Sequence, residues 1–214
     1  VSLFYGVTEH PVFMDLLNVK YEIDHAQQVL ALRETALPRA FLVPGSLLLG
    51  KNGVLDFLAT ADFEPRKTIL FEKEDFRSAP SLLSFEAQAV SGRVEITDYR
   101  PDRIRLFAET DRPAYLFLSE MFYPGWKAYI DGQPASILRG DYLFRVLELP
   151  KGRHSILLEF KPWTLRTGSA VTLAVILFLG VSALYRLLKR RKTLPGALGR
   201  IPPSETPEEK NSPH

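Results

Sequence analysis

At 214 residues with no cysteine, the chain can build a substantial hydrophobic core, but a disulfide scaffold, a thiolate metal site and a thiol nucleophile are all excluded. A formal charge of +2, with 24% charged and 46% hydrophobic residues, fits an ordinary globular chain and carries no nucleic-acid footprint. Part of the positive charge is a single cluster, Lys189-Arg190-Arg191-Lys192.

In chain order, residues 1–80 read as a small α/β portion. Pro11 to Leu17 predicts a short helix with Pro11 in its first turn, where a missing amide costs nothing. Asn18 to Ile23 alternates as a strand, with Val19, Tyr21 and Ile23 against Lys20 and Glu22. Pro38 and Pro44 bracket Phe41-Leu42-Val43 and assign it to a sheet edge. Asn52 is placed to cap a helix running to Thr60, Glu64-Pro65 ends it, and Lys67 to Glu72 predicts a strand.

Residues 81–163 are strongly β. Phe85, Ala87 and Ala89 alternate with polar residues, Ser91-Gly92 turns the chain, and Val94 and Ile96 resume the alternation. Further strands are predicted at Ile104–Ala108, Ala114–Leu118, Trp126–Ile130, Ala135–Arg139, Tyr142–Leu149 and Ile156–Phe160, with turns at Asp131-Gly132 and Pro150-Lys151-Gly152. That spacing of short strands and turns predicts a mainly β fold, an antiparallel, jelly-roll-like sandwich.

Thr167 to Tyr185 holds no charge and lies between Arg166 and Arg186. Its length suits a helix crossing a hydrocarbon core of ~30 Å. A transmembrane helix over 164–190 follows, in contact with a lipid bilayer. The basic cluster after it puts the C-terminus in the cytoplasm and residues 1–163 outside the cytoplasmic membrane by the positive-inside rule. Trp163 is expected at the bilayer interface. Residues 191–214, rich in Pro, Glu, Ser and Gly, predict a disordered cytoplasmic tail. The chain starts at Val1 with no secretory leader, so the expectation is the C-terminal piece of a longer membrane protein.

The search for chemistry finds little. His10, His25, His154 and His214 lack metal-ligand spacing, and no nucleophile elbow or phosphate-binding loop is present. His154 reads as an exposed residue at a strand end. Glu72-Lys73-Glu74-Asp75 reads as a solvated charged loop, and Asp98 and Asp102 as turn residues around Arg100-Pro101. No catalytic, cofactor-binding or metal-binding residue is assigned. The aromatic segment from Phe122 to Tyr129 is the exception. Trp126 falls on the apolar side with Ala128 and Ile130 and reads as core, which leaves Tyr123 and Tyr129 as candidates for stacking on a glycan.

Tyr123-Pro-Gly-Trp-Lys-Ala-Tyr-Ile-Asp-Gly132, Tyr142-Leu-Phe-Arg145, Leu149-Pro-Lys-Gly-Arg-His154 and Phe160-Lys-Pro162 resemble the C-terminal region of YfhO-like bacterial membrane proteins. Leu16 to Tyr21 and Leu37 to Phe41 are similar to the same family, and Asp141 departs from the small residue or asparagine often found there. The resemblance spans residues 11 to 185. It implies a polytopic parent related to GT-C-type glycosyltransferases, which use polyprenyl-phosphate sugars outside the membrane, some on cell-envelope polymers. The family's catalytic acidic residue lies near its N-terminal helices, so none carries over to this chain. The implied partners are the upstream transmembrane helices of the parent and, through them, an envelope glycan or a polyprenyl-phosphate sugar.

Overall fold

The computed structural model describes residues 11–24, 29–50, 53–60, 62–75 and 89–192. Two compact units appear, divided between Pro162 and Trp163.

The first unit is built on two antiparallel sheets. Strands β6 (Gly92–Arg100), β7 (Arg103–Thr110), β9 (Trp126–Ile130), β10 (Gln133–Ala135) and β13 (Gly152–Phe160) form a five-stranded sheet in the order β10-β9-β13-β7-β6. Strands β3 (Ala40–Val43), β8 (Ala114–Met121), β11 (Leu138–Gly140) and β12 (Phe144–Leu149) form a four-stranded sheet in the order β11-β12-β8-β3. Ile104, Leu106, Ile156 and Leu158 of the first sheet pack against Leu116, Leu118, Leu147 and Leu149 of the second. This is the sandwich that the alternating pattern predicts.

The two sheets differ in what their outer faces meet, and the sequence of each follows. In β7, buried Ile104, Leu106 and Ala108 alternate with more exposed residues, as expected of a sheet covered on one side. In β8, Ala114-Tyr115-Leu116-Phe117-Leu118 is buried at every position. Its Leu116 and Leu118 face the sandwich, while Tyr115 and Phe117 face a second core with Phe13, Val54, Leu58 and Phe71. The four-stranded sheet is therefore a middle layer, covered outside by the N-terminal elements.

Those elements are α1 (Pro11–Leu16) and a parallel pair, β4 (Gly45–Leu49) with β5 (Thr68–Glu72); the hairpin β1 (Tyr21–Asp24) with β2 (Val29–Leu32) follows α1 but places no residue in that core. Helix α2 (Gly53–Leu58) lies in the crossover that a parallel pair requires. Pro11 is the first residue of α1, and Asn18 at φ 56° takes the left-handed position that ends it. Asn18 thus belongs to the helix cap, and the first strand begins at Tyr21 instead. Strand β3 is an edge strand as Pro38 and Pro44 predict, with Phe41 facing Phe117 of β8.

Other differences have local causes. The strand expected over Ala135–Arg139 is two strands, because the chain leaves the five-stranded sheet after Ala135 and joins the other at Leu138. Asp98 lies inside β6 beside a bulge between Ile96 and Asp98, not in the turn; Asp102 is in the turn. The pairing of Phe85 to Ala87, the cap at Asn52 and the tail from Thr193 lie outside the described residues.

The second unit contains α3 (Trp163–Lys192). Thr167–Lys189, 23 residues, is long and apolar enough to cross a membrane, and Leu173, Phe178 and Leu184 along it are exposed. Trp163 is exposed at its start.

Candidate binding groove at the Tyr-Pro-Gly-Trp turn

Strand β8 ends at Met121, and the Phe122 amide donates to Leu143 O at 2.6 Å. The chain then reverses through Tyr123-Pro124-Gly125 into β9. Gly125 has φ +106°, and a Cβ there would meet the Phe160 ring at 3.0 Å and Pro162 at 3.1 Å. Glycine is needed on both counts. Its carbonyl accepts from the Lys161 amide at 2.7 Å, so the turn is bonded to the last residues before α3.

Trp126 opens β9 opposite Phe160 of β13, with ring centroids 5.5 Å apart, and Tyr123 reaches the same phenyl ring at 6.3 Å. The Trp126 indole is partly buried and packs on the sandwich core. From the other sheet, the Arg145 guanidinium lies over its face, 3.9 Å from the centroid. Arg145 Nε donates to Met121 O at 2.8 Å, whereas Nη1 is buried with no hydrogen-bond partner among the described residues. Burial lowers the Arg145 pKa, partly offset by the negative charge of Glu120 and by Tyr99. A desolvated cation over an indole contributes up to about 2 kcal/mol, so this pair is a strong tie between the two sheets.

A second tie lies at the same end. Arg39 Nη1 donates to Tyr99 Oη at 2.7 Å and to Glu120 Oε1 at 3.0 Å, and Tyr99 Oη donates to Glu120 at 2.6 Å. Tyr99 is in β6 and Glu120 in β8, so these bonds also join opposite sheets. Burial, and then the adjacent Glu120, raise the Tyr99 pKa.

The turn, β9 and β10 enclose a groove of about 370 Å³, lined by Tyr123, Pro124, Trp126, Lys127, Tyr129 and Ile137 among others. Both tyrosines singled out in the sequence line it, Tyr123 largely exposed and Tyr129 half-buried. Pro134, facing Tyr129 across the β9–β10 ladder, is also in the lining. Apolar rings beside an exposed lysine can hold a ligand with flat apolar faces and polar edges, as sugars have.

The remaining polar candidates serve structure. His154 is 9% exposed, not an open strand end. Its Nδ1 lies 2.7 Å from Asp131 Oδ2 and its Nε2 3.1 Å from Pro150 O, linking the two turns at the far end of the sandwich. Arg139 binds Asp75 through two nitrogens at 2.8 and 2.9 Å and Glu72 at 2.8 Å, so the charged run, solvent-exposed over 73–75 as expected, also clamps the edge strand β11. Asp98 pairs with Arg100 and Arg103. Among the described residues no three His, Asp or Glu side chains converge as a metal site requires. His10, His25 and His214 lie outside the described residues.

The chain matches no protein-family model, no curated protein and no solved structure.

Sequence reasoning missed Arg145 and Phe160 as parts of the groove's frame. The one available signal was a lone arginine inside Phe144–Leu149, a run otherwise dominated by apolar residues.

Proposed function

We infer that this chain is the extracytoplasmic accessory domain and last membrane helix of a YfhO-like protein. Its parent transfers sugar from a polyprenyl-phosphate donor to a cell-envelope polymer, and this portion holds no catalytic residue. The carrying observation is the direct passage from sandwich to apolar helix. The Lys161 amide is bonded to Gly125 within the family-like Tyr-Pro-Gly-Trp turn, and α3 begins two residues later. So short a connection leaves the domain within reach of the bilayer, which suits packing over a catalytic membrane core or presenting acceptor to it. The basic cluster Lys189 to Lys192 supports a cytoplasmic C-terminus. An antibody against residues 92–160, used on native membranes, tests the reading. A polypeptide far longer than 214 residues, with many spans, supports it. A band at the size of this chain alone overturns it.

The groove favours a second reading, a membrane-anchored glycan-binding module without enzymatic activity. It rests on Tyr123 and Tyr129 lining one concavity with Trp126. Binding of oligosaccharide by the full chain in detergent separates the two, since a purely packing domain holds none.

A further inference from the structure

The hairpin β1–β2 is a two-stranded ribbon with one face uncovered. Tyr21 faces Leu32 and Ile23 faces Leu30, which puts all four side chains on one side. They are 56%, 60%, 63% and 65% exposed, respectively. The opposite face carries Glu22, which accepts from Arg33 at 3.0 Å. Arg33 in turn binds Asp15 of α1 at 2.7 Å. That face, which also holds Ala31 and a half-exposed Val29, is fastened to the body through Glu22, and the four-residue apolar face has no such tie among the described residues. A ribbon of two short strands is marginal in water without a covering surface.

The position of this face matters as much as its composition. Phe13 of α1 packs on Phe144 at 5.9 Å, and Phe144 pairs with Met121, the last residue of β8. Asn18 Nδ2 donates to Leu37 O at 2.6 Å, and the Ser119 amide to Arg39 O at 2.8 Å. These contacts tie α1 and the segments that flank the ribbon on either side to the end of the sandwich that carries the Tyr-Pro-Gly-Trp turn. Met121 and Tyr123, 62% and 60% exposed, are at that end too. At the opposite end, with Asp131-Gly132 and Pro150 to Gly152, no large apolar side chain is exposed among the described residues.

Chain connectivity fixes what lies within reach. β13 ends at Phe160 and the apolar run of α3 starts at Thr167. Two extended residues and one helical turn span no more than ~20 Å, so a bilayer crossed by α3 begins within that distance of Phe160. An apolar surface gathered at this end, with tyrosines among its exposed members, matches the headgroup boundary, where tyrosine is enriched.

The geometry points to a lipid-docking face: Tyr21, Ile23, Leu30 and Leu32 of the β1–β2 ribbon rest in the headgroup region of the bilayer that α3 crosses. The ribbon then acts as a second, shallow membrane anchor. This inference rests on the membrane-anchored reading of the chain and does not need the parent to be an enzyme.

Because the chain has no cysteine, single labels are unambiguous. The full chain, reconstituted into phosphatidylcholine–phosphatidylglycerol vesicles, is labelled with an environment-sensitive fluorophore as I23C, L30C, K151C or L179C. Nitroxide-labelled lipids, carrying the quencher at shallow or deep positions, are then added to the mixture. The expected result is loss of emission at 23 and 30 with the shallow quencher, loss at 179 with the deep one, and none at 151. Quenching at 179 with water-like emission at 23 and 30 overturns the docking face and leaves the anchor standing. A blue-shifted, unquenched signal at 23 and 30 means that protein covers the ribbon, a second copy if the shift follows protein density, and also overturns it. No quenching at 179 removes the anchor and the docking face together.

Discussion

The carboxyl group of Asp141 accepts a hydrogen bond from the Leu70 amide at 2.7 Å, and the Asp141 amide donates to Leu70 O at 2.8 Å. This two-way pairing joins the turn before β12 to β5, so the sandwich and the N-terminal layer are locked at one buried point. Asp141 is fully buried, and its second oxygen has no partner among the described residues. Burial pushes its pKa up to about 8, against the opposing pull of the Leu70 amide.

The sign of the pH effect follows. The unfolded carboxyl ionises near pH 4, whereas the folded one stays protonated to about 8. Its contribution to stability is fully present below the unfolded value and is lost as pH rises through the folded one. Asp141→Asn keeps the acceptor for Leu70 and cannot ionise. The variant should be more stable than the parent by up to about 5 kcal/mol above pH 8, with the gap closing below pH 4. Denaturant unfolding at a series of pH values checks this; a gap independent of pH refutes a buried titrating carboxyl.

Asp131 gives the opposite slope. The His154 ring, and then the Ser155 amide at 2.8 Å, hold its carboxylate below the usual range. Stability from a lowered acid is present above the unfolded pKa and lost as pH falls through the folded one. Asp131→Asn tolerates the left-handed turn at φ 51° and keeps an acceptor. It should cost about 0.5–1 kcal/mol at neutral pH, a small figure because the carboxylate is half exposed and screened. The cost should vanish in acid, and its persistence at pH 2 would contradict the assignment.

How much of this was legible in the sequence depended on how many faces each strand buries. Strand β7 announced itself through Ile104, Leu106 and Ala108 because only one side is covered. In β8 the apolar run gave the strand but not the second layer on Tyr115 and Phe117, since a strand buried on both faces has no period to read. The break between Ala135 and Leu138 had no glycine to mark it. Tyr123 and Tyr129 were visible as candidates through local composition. Arg145 was not, because its partner Trp126 belongs to the opposite sheet. His154 looked exposed because Asp131, 23 residues earlier, is brought to it only by the β9–β13 ladder. The departure at Asp141 was visible, but its burial against Leu70 required a contact 71 residues away.

Gly125→Ala tests the frame of the groove. The backbone at φ +106° disfavours any side chain, and the added methyl meets Pro162 and Phe160 at 3.0–3.2 Å. Strain and overpacking together should cost about 2–4 kcal/mol. Gly132→Ala makes a fair comparison: it also has positive φ, +80°, but no atom lies within 4 Å of its added methyl. Thermal unfolding should show a larger loss for position 125 than for 132. Equal losses would mean that φ alone matters and that the turn does not need its close approach to Pro162.

Tyr123 and Tyr129 carry the prediction that separates the two functional readings. Both line the groove, yet they sit differently: Tyr123 is 60% exposed with its ring near Phe160, and Tyr129 lies within the β9 ladder facing Pro134. Neither is in the buried core, so alanine at either position should change stability by less than about 1 kcal/mol. If the groove stacks sugars, each substitution should weaken binding of a neutral hexose oligosaccharide by about ten-fold, or about 1.4 kcal/mol. Phenylalanine should restore most of it, because the ring face and not the hydroxyl makes the contact. Titration calorimetry on the full chain in detergent reads both numbers. Binding that ignores both alanine variants places the glycan elsewhere, and no binding by the unaltered chain leaves the packing role as the reading that survives.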